Sequence, residues 1–204
     1  MVTTAFVNIW GERVGAIAWD PTNEVGAFEY EPGFLSNNWD LAPVQIPLQG
    51  AKGRVFSFPE LRNTSTFKGL PGLLADILPD KYGNALINTW LTRQGRPTNS
   101  LNPVETLCFI GSRGMGALEV EPAFPKADDR ATKIEIESLI EVAEHILSGR
   151  QKFGTNVTAD EEKALVDILK IGSSAGGARA KALITYNSST GEIKSGQTNA
   201  PKGF

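Results

Sequence analysis

The clearest chemical signal in the chain is a short run rich in glycine and hydroxyl side chains, Gly172-Ser173-Ser174-Ala175-Gly176-Gly177-Ala178, followed by Arg179, Ala180 and Lys181. Glycine has no Cβ, so successive backbone N–H groups can turn inward and approach an anion closely. Lys181 adds a positive charge at the exit of the run. Together these features suit a nucleotide's phosphates. Taken alone, such a run between two elements is most often a turn or a linker. A Walker loop needs Gly, four residues, then Gly-Lys-Ser/Thr opening a helix. Gly172 and Gly177 have that spacing, but Ala178 and Arg179 follow them. A dinucleotide-binding fingerprint must also open a helix, whereas residues 181–186 read as a strand.

The flanking elements must hold this run in place. Thr158-Ala159-Asp160-Glu161 is a capping box. It opens a helix with Ala164, Leu165, Ile168 and Leu169 facing inward, and this helix delivers the chain into Ile171. An earlier capping box, Thr132-Lys133-Ile134-Glu135, opens a helix closed by Gly149. After the run, strands at 181–186 and 192–194 bracket Asn187-Ser188-Ser189-Thr190-Gly191, a hairpin-like turn. A glycine loop that runs into a strand is the arrangement protein kinases use to cover the phosphates of ATP.

The front of the chain has a different period. Residues 5–10, 14–19 and 25–30 are β-rich runs separated by Gly11-Glu12 and by Asp20-Pro21-Thr22-Asn23, which predicts an antiparallel meander. Gly15 and Gly26 interrupt two of the runs and predict bulges or close packing. A further short strand is expected at 54–58. The aromatics Phe6, Trp10, Trp19, Phe28 and Tyr30 are expected in the core. From residue 67 the spacing of Leu70, Leu73, Leu74, Ile77 and Leu78 turns helical. Pro71 suits the first turn of that helix, and Pro79 ends it. Asp80 is an N-cap candidate for a second helix carrying Tyr82, Leu86, Ile87, Trp90 and Leu91, stopped by Gly95 and Pro97. Asp76 and Asp80 read as a surface carboxylate and a cap rather than a catalytic pair. Gly111, Gly114 and Gly116 read as a hairpin turn before a strand at 117–121. The prolines and charges of residues 121–129 mark a boundary. The resulting fold class is α+β.

Composition narrows the chemistry. At 204 residues the chain holds one domain or two small ones. A net charge of −3 leaves no broad footprint for nucleic acid or membrane. Cys108 is the only cysteine and sits in the apolar run Leu107-Cys108-Phe109-Ile110, so it is expected to be a small core residue. His145 is the only histidine, which argues against a zinc cluster and leaves any Ser-His-Asp triad dependent on that one residue. No apolar run reaches the roughly 18 residues of a membrane span, and the N-terminus lacks a signal peptide's pattern. The cytoplasm is the expected compartment.

The run from Gly172 to Ile184 closely resembles the phosphate loop of HipA-like serine/threonine kinase toxins of bacterial toxin–antitoxin modules. Ala180 stands where that family often has Pro. Phe67-Lys68-Gly69-Leu70-Pro71 with Leu78-Pro79-Asp80 resembles the Phe…Leu-Pro…Leu-Pro-Asp segment of the HipA amino-terminal subdomain. Residues 109–120 resemble the glycine-bearing strand turn that follows it. The resemblance implies an amino-terminal subdomain over 1–122, built as a small curved antiparallel sheet with two helices. It also implies the start of a kinase-like domain over 130–204, with two helices, the loop and a hairpin. It implies nucleotide contacts from Gly172, Ser173, Ser174, Ala175, Gly176, Gly177, Ala178 and Lys181. It further implies ATP and Mg2+ as cofactors of the complete kinase, transfer of the γ-phosphate to a serine of a protein such as an aminoacyl-tRNA synthetase, and growth arrest. Some relatives phosphorylate a serine of this loop; matched backwards from Lys181 it is Ser174, with Ser173 second. The partners implied are a HipB-like, helix-turn-helix antitoxin, with DNA reached only through it, and no membrane.

None of the chain's carboxylates stands in a His-Arg-Asp or Asp-Phe-Gly setting, and the family's catalytic and metal residues lie beyond residue 204. The chain alone is therefore expected to carry no catalytic residue and no kinase turnover. The alternative function is a non-catalytic module that contacts an antitoxin or a separate kinase core.

Overall fold

The computed structural model describes residues 3–114, 116–122 and 184–195. The chain divides into two compact units, one formed by residues 1–78 with 101–126 and the other by 79–100 with 127–204.

The first unit is organised by a five-stranded sheet in the order β4-β3-β2-β1-β5. Its strands are β1 (Thr4–Ile9), β2 (Glu12–Asp20), β3 (Val25–Tyr30), β4 (Val55–Ser57) and β5 (Leu118–Glu121), and all neighbours pair antiparallel. The first three form the expected meander, and β4 lies within the expected stretch 54–58. Alternation of side chains along each strand puts Ala5, Val7 and Ile9 of β1 on the buried face with Ile17, Phe28, Phe56 and Val120. Each fully buried Val, Ile or Phe among them contributes about 1.5–3 kcal/mol. Against this face pack α1 (Gly72–Ala75), α3 (Pro103–Ile110) and the irregular chain between β3 and β4. Tyr30 holds that irregular chain by donating its Oη hydrogen to the Ile46 carbonyl at 2.9 Å.

Gly15 and Gly26 are sites of close packing. A Cβ on Gly15 would lie 2.2 Å from the Glu29 carbonyl oxygen, and one on Gly26 would lie 2.8 Å from a Leu70 methyl. The sheet's register shift falls instead in β1, between Val7 and Asn8. Gly69 has a positive φ of 77°, and its carbonyl accepts from Gly26 N at 2.8 Å, tying the approach to α1 onto the sheet.

Three expectations are corrected in this unit. Phe6 and Trp10 are not core residues: they are 41% and 72% exposed. Phe6 alternates onto the face opposite the core, and Trp10 occupies the β1–β2 turn with φ of 49°. Phe28 and Tyr30 are buried as expected, and Trp19 packs against the core half-buried. The helix expected from Leu70 onward is one α-turn, with Pro71 as its N-cap residue, continued by tight turns to Leu78. The glycines at 111–116 join a helix to a strand rather than two strands, because residues 103–110 form α3.

In the second unit, α2 (Lys81–Arg93) begins at Asp80, whose carboxylate accepts from Gly83 N at 2.8 Å. Tyr82, Leu86, Ile87 and Leu91 are its buried stripe. Gly95, with φ of 69°, follows its end. The described part of this unit also contains a hairpin of β6 (Ile184–Tyr186) and β7 (Ile193–Ser195). The class is α+β, as the sequence predicts.

Candidate functional site

The glycine-rich run lies outside the described residues, as do Ser173, Ser174, Lys181, His145 and the two helices expected at 132–149 and 158–169. The segment leaving the run is described from Ile184. It is a strand, and it pairs Thr185 with Lys194 across the hairpin. The connecting turn forms where its residue types place it. Asn187 Oδ1 accepts from Ser189 N at 2.9 Å and from Thr190 N at 3.2 Å, and Gly191 takes a φ of 72°. Lys194 adds a surface ion pair to Glu192 at 3.7 Å.

Among the described residues the remaining candidates for chemistry are accounted for structurally. Cys108 is fully buried in α3. Its thiol is pushed up to about 12 by that burial and then by the neighbouring Glu105 carboxylate, so it is no nucleophile near neutral pH. Asp80 is a helix cap and Asp76 an exposed residue at the end of α1. Asp20 caps its own turn, accepting from Thr22 N at 2.8 Å and from Asn23 Nδ2 at 2.6 Å. These bonds, led by the Asn23 side chain, hold its carboxyl below the usual value. No group of three or more His, Cys, Asp or Glu among the described residues is placed to hold a metal ion.

One concentration of charged groups was not anticipated from the sequence. Asn8, Arg13, Glu31, Glu119 and Glu121, with Gly11 of the β1–β2 turn, line an open depression of about 500 Å³. Arg13 lies 4.0 Å above the Phe6 ring and 3.6 Å from Glu121. Both partners of that ion pair are well exposed, so it contributes little stability. The register explains the gathering. Asn8 pairs with Arg13 on one side and with Glu119 on the other, while Glu31 N donates to the Val14 carbonyl at the neighbouring strand end. The only sequence signal was the alternation of Glu29 with Glu31 and of Glu119 with Glu121, in strands more than 80 residues apart. The arrangement gathers exposed charged groups of both signs at one surface.

Among the described residues no helix is long and apolar enough to cross a membrane. The family model for the HipA N-terminal domain matches residues 5–121, more than half of the chain. The match runs from β1 to the end of β5, across the whole five-stranded sheet. No curated protein matches the chain.

Proposed function

Because the chain belongs to the HipA N-terminal domain family, we propose that it is the amino-terminal part of a HipA-like toxin kinase, with residues 171–184 as a lid over the phosphates of ATP. The observation that carries this reading is the family match over 5–121, followed in the same chain by the glycine-rich run and Lys181. The donor set fits a phosphate chain: Gly172, Ser173, Ser174, Ala175, Gly176, Gly177 and Ala178 supply backbone N–H groups, and Lys181 supplies charge. Mg2+ has no such set among the described residues. Bound ATP would supply the γ-phosphoryl group. This chain's residues would orient and shield it, while the base and metal ligands come from elsewhere in the complete kinase.

The acceptor is a serine of a protein substrate, and the toxin–antitoxin context supplies the partner, a HipB-like antitoxin. With radiolabelled ATP, the complete kinase should label its substrate, and Lys181→Ala should lower that rate by about a hundredfold, the usual loss for a phosphate-stabilising charge. The 204-residue chain by itself should incorporate no label. Undiminished activity of Lys181→Ala would remove the lid assignment, and steady labelling by the chain alone would place the catalytic groups within it.

Ser174 is the proposed modification site. A phosphate adds about −1.5 to −2 charge near neutral pH, which repels the nucleotide the lid must cover. Ser174→Ala in the complete kinase should keep substrate labelling and lose loop phosphorylation by mass spectrometry. Loop phosphate still present would shift the assignment to Ser173.

A further inference from the structure

The face of the five-stranded sheet that points away from the core has an unusual composition. Its centre is Ala16 and Ala18 of β2 and Ala27 of β3. Outward positions of a sheet that faces water normally carry β-branched or long polar side chains, and alanine is depleted in strands. Here the centre is a flat shelf on which another chain can lie close. Two large apolar side chains adjoin it, Phe6 at 41% exposure and Val55 at 57%. Phe6 pairs with Ala16, and Val55 pairs with Glu29.

The rim of the shelf is acidic. Glu29 stands across from Ala16, and Glu121 stands across from Phe6 on its other side. Glu31 and Glu119 follow at the depression already described, where Arg13 faces them as a single cation drawn to Glu121. An apolar centre with a charged rim is the anatomy of a protein interface. The sign of the rim selects the occupant. Four carboxylates repel the phosphates of nucleic acid and of lipid, and they attract ammonium and guanidinium groups.

We infer that this outward sheet face is the docking surface for a basic segment of a protein partner, one whose aliphatic side chains sit on the alanine shelf between Lys or Arg residues that meet Glu29 and Glu121. The inference rests on the reading that this chain has a protein partner, and it does not require that partner to be an antitoxin or the chain to serve a kinase.

The test places a photo-cross-linking amino acid at Ala18 in the full-length protein, in the cells that encode it, and maps the adduct by mass spectrometry. The expected adduct is a Lys/Arg-rich peptide of another protein. Its yield should fall about tenfold in Glu29→Lys/Glu121→Lys, because reversed charges now repel it. The shape-conserving Glu29→Gln/Glu121→Gln should lower it less and in the same direction. Asp76→Lys should leave it unchanged. The surface is overturned by an absence of adduct, by an adduct within the chain or to a second copy, by a neutral or acidic peptide, or by a yield that both glutamate pairs leave unchanged. A basic partner that is not an antitoxin keeps this surface and removes the antitoxin reading. An antitoxin that co-purifies without an adduct at Ala18 keeps that reading and removes the surface.

Discussion

Gly15 shows how far a single residue decides this fold. It pairs with both Val7 and Tyr30, in the middle of the meander. The Glu29 carbonyl oxygen would stand 2.2 Å from an added Cβ, and the Tyr30 Cα 3.0 Å from it. Both are backbone atoms of a neighbouring strand, so no rotamer change relieves the overlap. Gly15→Ala must push β2 and β3 apart, and overpacking of this kind costs about 1–3 kcal/mol. A urea titration should show the midpoint falling with an unchanged slope. Wild-type stability would mean that the strands separate freely at this point. By contrast, Gly11→Asn in the adjoining turn meets nothing within 4 Å, and its φ of 84° lies in the region asparagine tolerates. It should cost about 1 kcal/mol, the strain of a side chain held at positive φ rather than an overlap with a neighbouring strand.

At the scale of elements, α3 is the best-capped helix among the described residues and the one that hydrophobic periodicity conceals. Asn102 Oδ1 accepts from Glu105 N at 2.8 Å, and Glu105 Oε2 accepts from Asn102 N at 3.0 Å, with Pro103 as the first helical residue. Asn102-Pro103-Val104-Glu105 spells a cap, yet no helical periodicity follows it. Every residue from Val104 to Ile110 is buried, so the helix has no polar face and no 3.6-residue stripe to detect. The α2 stripe was legible for the opposite reason: one side is buried and the other polar, from the Asp80 cap to the Gly95 stop. The meander was legible because its turns are local. The β1–β5 pairing, which joins Val7 to Val120, is set by burial on α3 rather than by any nearby turn, and nothing local announces it. The same distance hid the acidic rim, which draws on two separate stretches of chain, at residues 29–31 and 119–121. The glycine-rich run stood out because its signal is its own composition. Asn102→Ala should destabilise the first unit by about 1 kcal/mol. Asn102→Ser, which keeps an acceptor, should recover most of that loss, measured by denaturant midpoint.

At the scale of the whole molecule, three buried acids among the described residues link stability to alkaline pH in one direction. Tyr30 and Tyr82 are each raised from 10.0 to about 12, by burial first and then by Asp40 and Asp80 respectively. Cys108 is raised from 9.0 to about 12. In the unfolded chain these groups lose their protons near the lower values, and in the folded protein near the higher ones. Between those limits the unfolded state therefore binds fewer protons, and unfolding gains as pH rises. The stability these groups contribute is complete below about pH 9 and is lost progressively towards pH 12. Thermal unfolding followed by circular dichroism should show a melting temperature that falls steadily as pH rises above about 9. Cys108→Ala lowers stability at every pH by the cavity it leaves, and it should also flatten the decline that begins near pH 9 by removing the first of the three groups. A slope identical to wild type would mean that Cys108 ionises in the folded protein as it does in the unfolded chain. In that case the buried thiol of α3 would be open to solvent, and iodoacetamide would label it without unfolding.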